Sequence, residues 1–160
     1  MPTTVVNTIG TGGDYTLPQA WEDDCPANLV TADEIWRGEV LNQEFSGAGN
    51  RLTISGQTTD ETRYVDLTAQ AGASFADHAD KLTNPLRYNS AVGAAITQSS
   101  SYATAVIITT PYTRISRLQI GATGGNQTAG LSTTDTIIDQ CIVQGNDRPV
   151  RMGATGGRVF

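Results

Sequence analysis

From residue 34 onward, apolar positions come in short runs separated by Gly, Asn, Asp and Thr. The runs are "EIWRGEVL" (34–41), "RLTISG" (51–56), "YVDLTA" (64–69), "AVIITT" (105–110), "TRISRLQIG" (113–121), "TIIDQCIVQG" (136–145) and "GRVF" (157–160). Each is long enough for one strand and too short for a helix. "TVVNTI", near the start, reads as a further strand. Only "TLPQAWEDDCP" (16–26) reads as a helix, of two or three turns. Thr16 is placed to cap it, Pro18 stands in the first turn where proline is tolerated, and Pro26 closes it. Ala20 and Trp21 give it a short apolar face. Residues 72–100 have no clean period and read as a longer excursion.

Two runs match each other. Ile115, Leu118 and Ile120 match Ile138, Cys141 and Val143 at one constant 23-residue offset. The shared pattern, apolar-x-x-apolar-x-apolar, has one residue more than strict alternation allows. It therefore predicts a bend at Ser116–Arg117 and Asp139–Gln140. Leu131 stands at the same offset from Ile108 and continues the interval. Bent β-runs at a period in the low twenties predict a coiled solenoid whose successive strands pair in parallel, about 4.8 Å apart. A Greek-key sandwich is the alternative. The predicted architecture is all-β: one domain over 1–160, a right-handed parallel β-helix. An entry strand and capping helix occupy 1–30, and coils occupy 31–160 around an irregular excursion at about 72–100. The last residues, "GGRVF", carry no polar closing segment. They read as an internal stretch of a longer chain, an end covered by a neighbouring subunit, or a tolerated short edge.

"GDYTLPQAWED" (13–23) resembles the opening of pectin-lyase-like right-handed β-helix proteins, in which such a stretch starts a helix over the first coil. More particularly, the chain resembles β-helix proteins of tailed bacteriophages. Gly72–Phe75, "NPLRYN" (84–89), the following Gly-Ala run and the bent strands carry that resemblance. It implies a virion component: a capsid decoration, head fibre or tail spike protein, commonly a homotrimer. The fold also serves other activities. The alternatives are a polysaccharide lyase or hydrolase, or a non-catalytic glycan-binding adhesin. The calcium-and-arginine motifs of the family's lyases, and the acid and arginine motifs of its methylesterases, are not recognisable at matching positions.

Composition narrows the partners. Charged residues make up 16% of the 160, the net charge is −6 and Lys81 is the single lysine. Binding to nucleic acid or to an anionic membrane calls for a basic face, so neither is expected. "MPTTVVN" lacks the pattern of a signal peptide, which predicts synthesis in a cytoplasm; the phage resemblance implies that this is a host's and that the protein resides in the virion. The partners that the phage resemblance implies are copies of the chain itself, other virion proteins and a host surface glycan.

Several residues invite a chemical reading. "GTGGDY" (10–15) has the look of a phosphate loop, but Tyr15 stands where G-x-G-x-x-G needs glycine, and acids follow. "IGATGGN" (120–126) and "MGATGGR" (152–158) repeat its Gly-Gly, as a turn would. Asp14 and Tyr15 are therefore expected to fix a turn, and Ala20 and Trp21 to plug the first coil. Asp135, Asp139 and Asp147 could supply the acid pair of a glycosidase, and Arg148 and Arg151 lie near the last. Asp139, however, falls at a predicted bend and Asp147 in a turn composition. Asp77, His78 and Asp80 could approach a metal, though three ligands within so short a stretch rarely converge. His78 is the only histidine. Tyr112 could be a sugar platform or turn packing. Cys25 and Cys141 could pair, but the apolar setting of Cys141 favours a small core residue. No catalytic, cofactor-binding or metal-ligating residue is assigned, and no cofactor is expected.

Overall fold

A computed structural model describes residues 1–99, 104–122, 135–145 and 158–159. Within them the chain is all-β, with parallel sheets, two short α-helices and one 3-10 turn at Ala48–Asn50. Strands β1 (Thr3–Ile9), β2 (Glu34–Val40), β5 (Val65–Ala69), β8 (Arg114–Ser116), β10 (Ile137–Asp139) and β12 (Arg158–Val159) form one sheet in that order. A second sheet contains β3 (Glu44–Phe45), β6 (Ala95–Gln98), β9 (Gln119–Ala122) and β11 (Ile142–Gln144). The third pairs β4 (Leu52–Ile54) with β7 (Val106–Ile108). From β2 to β9 the chain visits the three sheets in rotation, and among the described residues β10, β11 and β12 then alternate between the first two, so strands that neighbour in space are far apart in sequence.

Pairing register fixes what faces inward. Gly38, Leu67, Ile115 and Ile138 are successive partners across the large sheet. Phe45, Ile96, Ile120 and Val143 are successive partners across the second. Leu52 and Ile54 lie beside Val106 and Ile108 in the third. Most of these side chains are fully buried in one apolar cluster. Burial of each large aliphatic contributes about 1.5–3 kcal/mol.

The match between the two runs is a pairing register: Ile115 lies beside Ile138 and Ile120 beside Val143. The predicted bends are present. Arg117 and Gln140 have φ of 61° and 50°, the left-handed region. Tyr112 and Asp135, each just ahead of a strand, are also left-handed, at 53° and 59°. Both pairs of corners keep the interval of the paired strands. The interval does not hold along the whole chain. Trp36 pairs with Val65 and Asp66 with Arg114, and both separations are wider. Leu131 lies outside the described residues.

Five expectations are corrected. Thr16 does not cap the first helix, α1 (Pro18–Asp23). Leu17 occupies the N-cap with no side-chain bond. Pro18 takes the first helical position, where its missing N–H leaves one fewer donor to satisfy. The helix is six residues long, shorter than expected. Ala20 is exposed; Trp21 alone plugs the core, with no accessible surface. The excursion ends earlier than 100, because β6 emerges at Ala95. All four β6 residues are buried. A strand covered on both faces shows no alternation. Its outer cover is the preceding segment itself: Gln119 Nε2 donates to the carbonyls of Asn89 and Val92, and the Gly93 N–H donates to Asn42 Oδ1. A second helix, α2 (Leu29–Ala32), has no counterpart in the expected pattern. Asn28 Oδ1 caps it by accepting from the Thr31 N–H.

Trp21 lies directly on β2. A methyl group at Gly38 would sit 2.7 Å from both Ile9 Cδ1 and Trp21 Cε2. Gly38→Ala is expected to lower stability by about 1–3 kcal/mol through overpacking. Urea denaturation followed by tryptophan fluorescence checks this; an unchanged midpoint would mean that Trp21 is not seated as described.

Candidate functional site

A groove of about 640 Å³ lies between α1 and the edge of β4. Its walls include Gln19, Glu22, Cys25, Arg51, Thr53 and Gln57. β4 pairs with β7 on one side only, so the backbone groups of Thr53 and Ser55 point away from any strand. Side chains of α1 meet them. Gln19 Oε1 accepts from the Thr53 N–H at 2.8 Å, and Gln19 Nε2 donates to the Thr53 carbonyl at 3.3 Å. Glu22 Oε1 accepts from the Ser55 N–H at 3.0 Å and from Gln57 Nε2 at 2.7 Å. Glu22 Oε2 accepts from Gln19 Nε2 at 2.7 Å. Glu22 is only 5% exposed. Both of its oxygens are occupied, so this carboxylate closes a strand edge.

The residues of the glycine-rich turn serve the same purpose at β1. Asp14 Oδ2 accepts from the Thr8 N–H and hydroxyl, both at 2.8 Å. The Tyr15 N–H donates to the Thr8 carbonyl, and the Gly10 N–H to the Tyr15 carbonyl. Thr11 N–H donates to Gln43 Oε1 and Gly13 N–H to the Gly10 carbonyl. These N–H groups are turned into the protein, which leaves no cradle for a phosphate. Asp14 and Tyr15 do fix the turn. Of its two later copies, Ile120 and Gly121 lie in β9, where a methyl on Gly121 would meet the Tyr88 ring. That glycine serves close packing. The remaining residues of both copies that bear on the turn lie outside the described segments.

The large sheet carries an outward polar ladder. Arg37 Nε donates to Asp66 Oδ2 at 2.7 Å. Arg114 stacks on the Tyr64 ring at 3.6 Å and donates to its hydroxyl. Ser116 Oγ donates to Thr68 Oγ1 at 2.9 Å.

The other sequence candidates do not assemble into a site. Asp77 accepts from the Ser74 hydroxyl and from Arg117 Nη2, both at 2.9 Å. Asp80 turns toward the N–H groups of Leu82 and Thr83. The two carboxylates flanking His78 are thus spent on local structure. Among the described residues no group of three metal-ligating side chains converges. Asp135 is an exposed left-handed corner residue, Asp139 adjoins the corner at Gln140, and Asp147, Arg148 and Arg151 lie outside the described residues. Tyr112, 37% exposed, occupies a corner as well. Cys25 and Cys141 are free thiols. Burial pushes them up to about 12 and about 11, so neither is a thiolate at neutral pH. No described helix is long and apolar enough to cross a membrane.

No protein-family model, curated protein or solved structure matches the chain.

Sequence reasoning missed Gln19 and Glu22. A Gln and a Glu one helical turn apart, beside the apolar Trp21, was the available signal, but it names no partner. Glu22→Ala is expected to cost about 2–4 kcal/mol, because three donors lose their acceptor in a buried place. Glu22→Gln, which retains an acceptor, is expected to cost less, and chemical denaturation of both variants checks the order.

Acid pH should act through the turn carboxylates. The Thr62 hydroxyl and N–H hold Asp60 down at about 2, against an ordinary 3.8. The Thr8 N–H lowers Asp14, the Ser74 hydroxyl lowers Asp77 and the Thr83 N–H lowers Asp80. A carboxylate depressed in the folded state stabilises above its unfolded pKa, and that stability is lost as pH falls through the folded value. Stability should therefore drop between about pH 4 and pH 2, and Asp60→Asn should make that drop shallower. Thermal melts across this range test both statements.

Proposed function

We propose that the chain is a right-handed parallel β-helix and a structural component of a bacteriophage virion, working through self-assembly and contacts with other virion proteins. One observation carries the solenoid reading. Strand pairs β8–β10 and β9–β11, and the left-handed corners Tyr112/Asp135 and Arg117/Gln140, all recur at a 23-residue interval. A structural unit that repeats corner for corner and stacks on its copy is the building principle of a solenoid. Right-handedness follows from the rule for parallel crossovers. The resemblance of "GDYTLPQAWED" and "NPLRYN" to phage β-helix proteins supplies the virion context.

The chemistry favours architecture over turnover. Polysaccharide hydrolysis needs two acids free to act on one bond. Glu22, Asp14, Asp60, Asp66, Asp77 and Asp80 are each held by hydrogen bonds within the fold. Tyr64, a ring on the outer ladder, has Arg114 over one face.

Purified virions of the encoding phage provide the test. The chain is expected among their proteins by mass spectrometry at a copy number that is a multiple of a small oligomer, three by the phage resemblance. Absence from intact particles would overturn the virion reading. New reducing ends or unsaturated products from host capsular glycans would replace it with a depolymerase.

A further inference from the structure

We infer that the loop over residues 81–87 is a docking element for a second copy of this chain, and that it seats on the neighbour's acidic N-terminal surface. The inference rests on the self-assembly reading and names the surface that would perform it.

The loop exposes what an isolated chain would hide. Leu82 is 83% exposed and Leu86 67%, and Pro85 between them is exposed too. Two leucines this open in one short loop form a concentrated apolar patch. The backbone that presents them is fixed. Asp80 Oδ1 accepts from the Leu82 N–H, the Thr83 N–H and the Thr83 hydroxyl. Asp80 and Asn84 exchange backbone bonds at 2.7 and 3.0 Å, and Asn84 Nδ2 reaches the His78 carbonyl at 2.8 Å. Behind the loop, Asn89 N–H donates to Gln119 Oε1 at 2.6 Å, tying the segment to the second sheet. The leucines are thus held outward in advance, which lowers the ordering cost of docking.

Charge selects the partner. Lys81 and Arg87 flank the leucines, both exposed, and neither meets an acidic side chain among the described residues. The excess of acid over base lies elsewhere. Residues 1–36 hold Asp14, Glu22, Asp23, Asp24, Asp33 and Glu34 and no basic side chain. Residues 37–160 hold the other ten acids against all ten basic residues, so the formal charge of −6 resides entirely in the segment 1–36. Asp23 and Asp24 are exposed there with no ion pair, Arg51 being the one cation that shares a groove with Asp23, and Leu17 and Val30 of the same segment are exposed as well. A cationic loop with two leucines and an acidic segment that exposes Asp23, Asp24, Leu17 and Val30 are complementary in sign and polarity. Because they are different patches of one chain, the contact is heterologous and closes into a ring or runs as an open stack.

Sedimentation of the full chain tests this. The wild type is expected to associate, and more weakly as ionic strength rises. Leu82→Ser with Leu86→Ser should weaken association at least tenfold with an unchanged melting temperature, since both side chains lie outside the core. Lys81→Glu with Arg87→Glu should weaken it similarly, and adding Asp23→Lys with Asp24→Lys should restore it. Variants that associate like the wild type would overturn the inference. So would a wild type that stays monomeric, or one whose loop-dependent binding is to anionic phospholipid vesicles instead. Particle composition decides the virion reading separately. A monomer found in virions would sink the loop contact alone, and an oligomer absent from virions would sink only the virion role.

Discussion

Parallel pairing in register is the constraint on which everything else depends. Gly38, Leu67, Ile115 and Ile138 can share one inward column only if each strand meets its neighbour without a one-residue slip. Such a slip would turn Asp66 and Arg114 into the core and Leu67 and Ile115 out of it. The corners enforce the register. A left-handed residue costs a non-glycine side chain of order 1–2 kcal/mol, yet Tyr112, Arg117, Asp135 and Gln140 all adopt that conformation. The stacked core tolerates this cost because each corner starts or ends a strand at the same place as its stacked equivalent.

Pairing of this kind leaves edges, and the sequence closes them with side chains. On β4, Gln19 offers an amide carbonyl and amine to Thr53 in the pattern a backbone would use, and Glu22 takes the next N–H. On β1, Asp14 and Tyr15 together bind the amide and carbonyl of Thr8. Both devices come from the segment that ends with α1. Trp21 fills the space between them and anchors a second contact, its carbonyl accepting from Trp36 Nε1 at 3.3 Å. The N-terminal segment therefore terminates hydrogen-bond ladders as well as covering apolar surface. An unblocked edge would recruit strands without discrimination.

Legibility in the sequence followed burial symmetry. Strands buried on one face, such as β2 and β8, announce themselves by alternation or by the bend between them. The match of the two bent runs gives register and corner positions directly, because both belong to one repeated local pattern. β6 is illegible: with both faces covered, Ala95, Ile96, Thr97 and Gln98 show no period. The site residues are illegible for a different reason. Gln19 and Glu22 act through Thr53 and Ser55, 34 and 33 residues away, and nothing local encodes such a partner. Ala20 looks like a core residue only while the helix's orientation is unknown: α1 turns Pro18, Trp21 and Glu22 inward and leaves Ala20 on the solvent side.

The distribution of charge separates what holds the fold from what is left over. Arg37, Arg63 and Arg117 are each spent on a carboxylate at 2.7–2.9 Å, and Arg114 on a tyrosine ring. These pairs tie outward positions of neighbouring strands or loops, and being partly exposed they add modest stability. Once they are counted, the cations without an acidic partner in the described residues cluster in the loop that also exposes its leucines, with Arg51 the exception at the α1 groove. The acids without an ion pair include the exposed Asp23 and Asp24 of the N-terminal segment, which as a whole carries no basic side chain. A chain that folded only for itself would gain by interleaving these groups, since like charges held together repel and exposed leucines invite aggregation. Retaining both, on a backbone stiffened to display them, is understandable if the two surfaces meet in an assembly.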